Sequence, residues 1–299
     1  MKVLMPVDVL EPYEDFVRNL SVLMPLDGTQ VVLQYVENED RWWDYAMYFL
    51  GAYPLEWKSW AKESAWSILG SIKREFAALG ANAHCHVDEG DAHKAILERA
   101  ENENVDVIIL TPQHKTFMEK FLVGSVSNAV SRTAHRPVII LREIAESKLE
   151  RVLFCIDGGE DSFLAMETVV RLLHLAEKKV AVTVVHVGEI PLPSANIYIH
   201  SPGAHLVQPT TQSLKANGTA FLDRAEKYLN GLGVDNVTKR LSHGDPATTL
   251  LTIIEEEDAQ FVVTGTRNPN FLDKLLFGSV SEKILSEAPC SVAVVNSHS

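Results

Sequence analysis

Two turns in the second half of the chain carry the residue types that hold an anion. One runs Cys155-Ile156-Asp157-Gly158-Gly159-Glu160-Asp161-Ser162 and leaves a short apolar run. The other runs Val262-Val263-Thr264-Gly265-Thr266-Arg267-Asn268 and, nine residues after Asn268, reaches Gly278-Ser279-Val280-Ser281 at the start of a helical pattern. Glycine lets a backbone approach closely, Ser279 and Ser281 bring hydroxyls, and a helix start presents unpaired N–H groups to negative charge. The plainer alternative is that Gly278-Ser279 is only a turn and helix cap. Spacing alone leaves both standing. No enzyme motif competes, because Gly-Lys never occurs and neither G-x-S-x-G, a complete G-x-G-x-x-G nor H-E-x-x-H is present. Gly231-Leu232-Gly233 precedes an apolar run rather than following one, so it reads as a helix stop.

The elements that must position these turns come in two copies. Val3-Leu4-Met5-Pro6-Val7-Asp8 recurs as Val152-Leu153-Phe154-Cys155-Ile156-Asp157, an offset of 149. Gly90-Asp91-Ala92 recurs as Gly244-Asp245-Pro246, and Gly124-Ser125-Val126-Ser127 as Gly278-Ser279-Val280-Ser281, both at 154. A duplication is the natural source, with Glu146-Ser147-Lys148-Leu149-Glu150 as a polar joint too short for a loose tether. The expected domains are residues 1–146 and 147–299. In the second copy, apolar runs rich in Val and Ile at 151–157, 180–187, 234–241, 260–265 and 291–296 alternate with helical patterns at 161–176, 212–230, 246–257 and 276–288. Such alternation predicts right-handed βαβ units. The fold class is therefore α/β: two tandem doubly wound domains, each a five-stranded parallel sheet flanked by helices, with the ligand crevice beyond the carboxyl ends of the strands.

Composition narrows the partners. The 299 residues hold 27 Lys and Arg against 40 Asp and Glu, a net charge of −13. The first 149 residues hold 15 basic and 22 acidic residues, so the halves share the excess almost evenly. That balance argues against nucleic acid and against an anionic membrane surface. No run reaches the length that spans a bilayer, so no membrane insertion is expected, and Asp8 comes too early for a secretory leader. Cys85, Cys155 and Cys290 are odd in number and far apart, which suits free thiols in a cytoplasmic protein.

Taken in order and twice over, the motifs carry a resemblance. The Val-Asp strand end, the Gly-Asp-Pro turn, the Thr-Gly-Thr-Arg strand exit, the Gly-Ser-Val-Ser helix start and the Ala-Pro-Cys before the last strand resemble universal stress protein domains. The whole chain resembles a tandem member of that family, apart from residues 38–60 and 189–211. The resemblance implies strand order 3-2-1-4-5, of the adenine nucleotide alpha hydrolase type, and a stress-response regulator in which domain 2 binds ATP or another adenine nucleotide, with or without Mg. Members that bind ATP share Gly, two residues, Gly, nine residues, Gly, then Ser or Thr. Here that pattern falls on Gly265, Asn268, Gly278 and Ser279, so the second glycine has become asparagine. Asn is the best substitute where φ must be positive, but its side chain crowds the phosphate path. By the same resemblance Asp157 contacts the ribose, the chain near His186-Val187 meets the base, and Ser281 joins Gly278 and Ser279 around phosphate. Hydrolysis is expected to be slow and incidental, since no catalytic base is identifiable. The family pairs domains across the final strand, which implies that 137–142 and 291–296 meet as an internal pseudo-dimer and leaves a homodimer open.

The first copy departs further. The glycine pattern falls on Thr111, His114, Gly124 and Ser125, and Val9-Leu10 follows the aspartate where small residues are usual. This site is expected to be closed to ATP, with Asp8 and Ser125 as relics or caps. All five tryptophans, Trp42, Trp43, Trp57, Trp60 and Trp66, fall in an aromatic-rich insert at about 38–66. It reads as a satellite core over the closed site, an inter-domain or dimer contact, or a cleft for an apolar ligand. A nucleotide-free scaffold acting through this insert and through sheet-edge contacts is therefore the rival function. His84-Cys85-His86, with His93 nearby, reads as an edge strand with incidental histidines rather than a metal site. Glu255-Glu256-Glu257-Asp258 reads as a solvated helix end. His243, just before Gly244-Asp245-Pro246, stands where it can border the crevice.

Overall fold

A computed structural model describes residues 1–8, 14–37, 57–112, 123–188, 211–265 and 278–296. The first half runs β1 (Lys2–Pro6), α1 (Glu14–Leu23), β2 (Gln30–Glu37), α2 (Trp57–Ala78), β3 (Asn82–Glu89), α3 (Ala92–Asn102), β4 (Val107–Leu110), α4 (Ser125–Thr133) and β5 (Val138–Ile140). The second runs β6 (Arg151–Ile156), α5 (Glu160–Leu172), a 3₁₀ turn (Leu175–Glu177), β7 (Ala181–Gly188), α6 (Thr211–Gly231), β8 (Val237–His243), α7 (Pro246–Glu256), β9 (Phe261–Gly265), α8 (Ser279–Glu287) and β10 (Ser291–Val295). The repeated Gly-Asp turns explain themselves locally. Gly90 and Gly244 take φ of +116° and +143°, and Asp91 and Asp245 accept the N–H of Lys94 and Thr248 at 2.9 Å, capping α3 and α7.

Each half has strand order 3-2-1-4-5, and every pairing within a half is parallel. The two expected sheets are one. β5 and β10 pair antiparallel, with Ala293 opposite Ile139, giving a ten-stranded mixed sheet that ends at β3 on one side and β8 on the other. Val138-Ile139-Ile140 carries none of the charge, proline or bulge that blunts an edge, so it needs a partner. Strand residues alternate between two buried layers that run the length of the sheet. Val3, Met5, Phe154 and Ala293 face one, and Leu4, Leu153, Val262 and Val292 face the other. Burial on both faces is why the central strands read as unbroken apolar runs.

Polar side chains stitch the joint with approximate two-fold symmetry. Buried Arg142 donates Nη1 to Cys290 O (3.0 Å) and Nη2 to Leu285 O (2.7 Å), closing the end of α8. At the related place Asn296 Nδ2 donates to Ala134 O (2.6 Å), closing the end of α4. The short connection is docked: Gln260 Oε1 accepts the N–H of Glu150 (2.6 Å) and of Arg151 (3.0 Å). Arg151 also reaches Glu146 at 3.1 Å and Asp258 at 2.8 Å.

Candidate functional site

The carboxyl ends of β6 and β9 lie side by side, and short contacts draw the two anion-type turns together. Asp157 Oδ1 accepts the N–H of Gly159 (2.9 Å) and the hydroxyl of Ser162 (2.6 Å), while Ser162 Oγ accepts the N–H of Asp157 (3.2 Å). The aspartate thus fixes the turn that opens α5. Gly158 takes φ +85°, and a Cβ there would lie 2.7 Å from the ring of Phe221, so only glycine fits beneath α6. Gly265 is held close for a different reason. A Cβ on it would stand 3.3 Å from Asp161 O, so its bare backbone lets the end of β9 rest on the start of α5.

The start of α8 is tied to the same place. Ser281 is buried, donates to Gly265 O at 2.9 Å and lies 3.1 Å from Thr264 Oγ1. Its hydroxyl binds the cradle together rather than facing outward. Gly278 is the N-cap, with no side-chain cap bond, and Ser279 is the exposed first residue of α8. The helix start therefore keeps the uncapped N–H groups that attract an anion. Glu282 in that first turn opposes an anion, but Arg132 of the first half pairs with it at 3.0 Å.

Of the expected site residues, Asp157, Gly265, Gly278 and Ser281 are joined by this chain of contacts, with Ser279 beside them. Val187 stands one strand away on β7, half-buried and paired in register with Ser242. Its neighbour His186 faces the other layer: Nδ1–H donates to Ile156 O (2.9 Å), and the ring packs edge-on against Phe221 at 5.3 Å. Asn268 lies outside the described residues. Sequence reasoning missed Phe221, which only the packing of α6 brings onto Gly158. It placed His243 at the crevice border. The ring lies against Gly188, where a Cβ would be 3.4 Å from Cδ2, and its buried Nε2 has no hydrogen-bond partner among the described residues.

The corresponding place in the first half is a hollow of about 90 Å³ lined by Asp8, Gln34, Tyr35, Thr111, Gly124 and Ser127, among others. Small-molecule pockets start at roughly 300 Å³. Thr111 stands in this lining where Gly265 stands in the second half. Elsewhere, His86 lies 3.6 Å from Glu103 while His93 bonds Thr133 at 2.7 Å, so the two do not share a centre. No group of three or more metal-type side chains occurs among the described residues. The run Glu255–Asp258 is pinned by arginines: Arg240 pairs with Glu256 and Glu257, and Arg151 with Asp258.

Fold and site together define a tandem α/β protein whose second half brings a strand-end carboxylate, a bare strand end and a helix start together at the carboxyl ends of β6 and β9. A model of the Universal stress protein family matches residues 18–142 and again 148–296, and the chain belongs to that stress-response family. A universal stress protein of Methanocaldococcus jannaschii is 28% identical over 152 residues, which is 47% of this chain and 94% of that protein. The crystal structure of a universal stress protein from Archaeoglobus fulgidus has TM-score 0.66 at 21% identity, over 99% of this chain and 96% of that one. A solved universal stress protein in complex with cAMP covers 49% of this chain and 95% of its own, with 17% identity and TM-score 0.36. No helix among the described residues is long and apolar enough to cross a membrane.

Proposed function

We propose that this protein is a cytoplasmic regulator that binds ATP or another adenine nucleotide in its second domain, 147–299, while the first, 1–146, carries a closed relic of the site. The observation that carries this reading is the junction of Gly265 with Asp161 and Ser281. It brings a carboxylate turn, a bare strand end and a helix start with no side-chain cap together, which supports the reading. Asp157 and Val187 serve ribose and base, and Gly265, Asn268, Gly278 and Ser279 form the phosphate turn. Ser281 holds that turn in place. The donor set suits phosphate oxygens rather than a metal, so magnesium would arrive on the nucleotide. No side chain is assigned a catalytic step; binding changes which surface the protein presents.

Thermal unfolding with and without Mg-ATP tests this. Ligand at a hundred times its dissociation constant adds about 2.7 kcal/mol. Gly278→Val and Ser279→Ala should reduce the shift, and Ser125→Ala should leave it whole. No shift, and no nucleotide released on denaturing the purified protein, sinks the reading. The second reading is a nucleotide-free scaffold. It is favoured by the asparagine in the pattern's second glycine position and by the small first-half hollow.

A further inference from the structure

A larger cleft lies far from the proposed nucleotide crevice, against the edge strand β3. Its volume is about 690 Å³, within the range of small-molecule pockets, and its walls come from α2, β3 and the starts of β1 and β2. On α2 the lining residues are Trp66, Gly70 and Lys73, spaced so that all three share one helix face. Trp66 is 47% exposed, an unusual state for the largest apolar side chain. One turn further on, Gly70 leaves a gap: a Cβ there would meet only Arg74 Nη1, at 3.8 Å. Lys73 is exposed and makes no ion pair among the described residues. The face therefore reads indole, bare backbone, ammonium, over about 10 Å of helix.

The opposite wall is His84, Cys85 and His86 on β3, with Lys2 and Glu103 at the rim. Glu103 is the acid of this lining, and cations already surround it: Lys2 at 2.5 Å and Arg99 at 3.7 Å. Those contacts hold its carboxyl below the usual carboxylate range. Among the lining residues Lys73 is thus the lysine without an acidic partner, on a chain whose net charge is −13. A flat ring would stack on Trp66 and lie against the backbone at Gly70, with a negative group reaching Lys73.

We propose that this cleft is a binding site for a small planar aromatic anion of the aromatic carboxylate class, separate from the nucleotide crevice. Calorimetric titration of the full chain with 2-naphthoate tests it, with 2-naphthamide and 2-naphthylmethylamine as the neutral and cationic counterparts. Saturable binding of 2-naphthoate is expected, about three- to ten-fold weaker binding of the amide, and the amine weakest. Lys73→Gln should abolish the preference for the anion, and Trp66→Ala should weaken binding about ten-fold or more. Gly70→Leu should abolish binding while leaving the melting temperature unchanged or raised, because leucine is the better helix former and faces open space. Saturating Mg-ATP should leave the naphthoate affinity unchanged, whatever the second domain does with nucleotide. The proposal is overturned by no 2-naphthoate binding at millimolar concentration, by equal affinity for acid and amide, or by binding that survives Gly70→Leu.

Discussion

Single residues at the carboxyl ends of β6 and β9 carry structural duties that their types alone did not announce. Gly158 and Ser281 are residue types suited to phosphate, yet each has a structural duty: Gly158 admits Phe221, and Ser281 ties α8 to β9. Nothing local in the sequence reveals this, because Phe221 and Gly158 are brought together only by the packing of α6 on the sheet. Asp157 was legible as a strand-end carboxylate, but not as the acceptor that closes its own turn. The duty of Gly158 can be measured. Alanine there combines an unfavourable positive φ with a Cβ 2.7 Å from an aromatic ring. Each effect costs about 1–3 kcal/mol, so Gly158→Ala should lose about 3 kcal/mol in urea denaturation. A loss below about 0.5 kcal/mol would show that α6 yields freely at this point.

Elements were the most legible level. The apolar runs and helical patterns of the second half match β6 to β10 and α5 to α8 closely. The third strand begins three residues later than expected, because Val234 N–H closes the end of α6 by bonding Leu229 O at 3.0 Å. What escaped was how elements of different halves hold one another. Lys178, beyond the 3₁₀ turn, donates Nζ to Leu23 O at the last residue of α1, at 2.5 Å. A cation at a helix C-terminus suits the helix dipole. Burial nevertheless pushes its pKa down from 10.5 to about 8. Between those values the unfolded chain binds more protons than the folded one, so this lysine makes stability rise with pH. Below pH 8 both states carry the charge and the burial cost stands in full. Urea midpoints at several pH values from 7 to 10 should climb further in the wild type than in Lys178→Met. Parallel pH profiles would sink the assignment.

At the scale of the molecule, the doubling seen in the sequence becomes one continuous body. The pairing of β5 with β10 was legible only through family resemblance, since register between distant strands leaves no local pattern. The two buried layers run through that joint without a break, so neither half has a core to itself. Arg142 is the polar keystone. Its guanidinium is buried deeply enough to lower its pKa to about 10, and its fork satisfies the carbonyls of Leu285 and Cys290 across the joint. Arg142→Ala strands those carbonyls and should cost about 3 kcal/mol. Lysine should not rescue it, because one ammonium lacks the planar fork that spans two carbonyls. The uneven tryptophans supply the readout. All five lie between residues 42 and 66, so fluorescence follows the first half alone, whereas far-ultraviolet circular dichroism follows both. A shared sheet requires the two probes to give one coincident transition in the wild type, and in Arg142→Ala a transition at lower urea that still coincides. If fluorescence and dichroism part company in the wild type, the halves unfold independently and the joint is not the unit of stability.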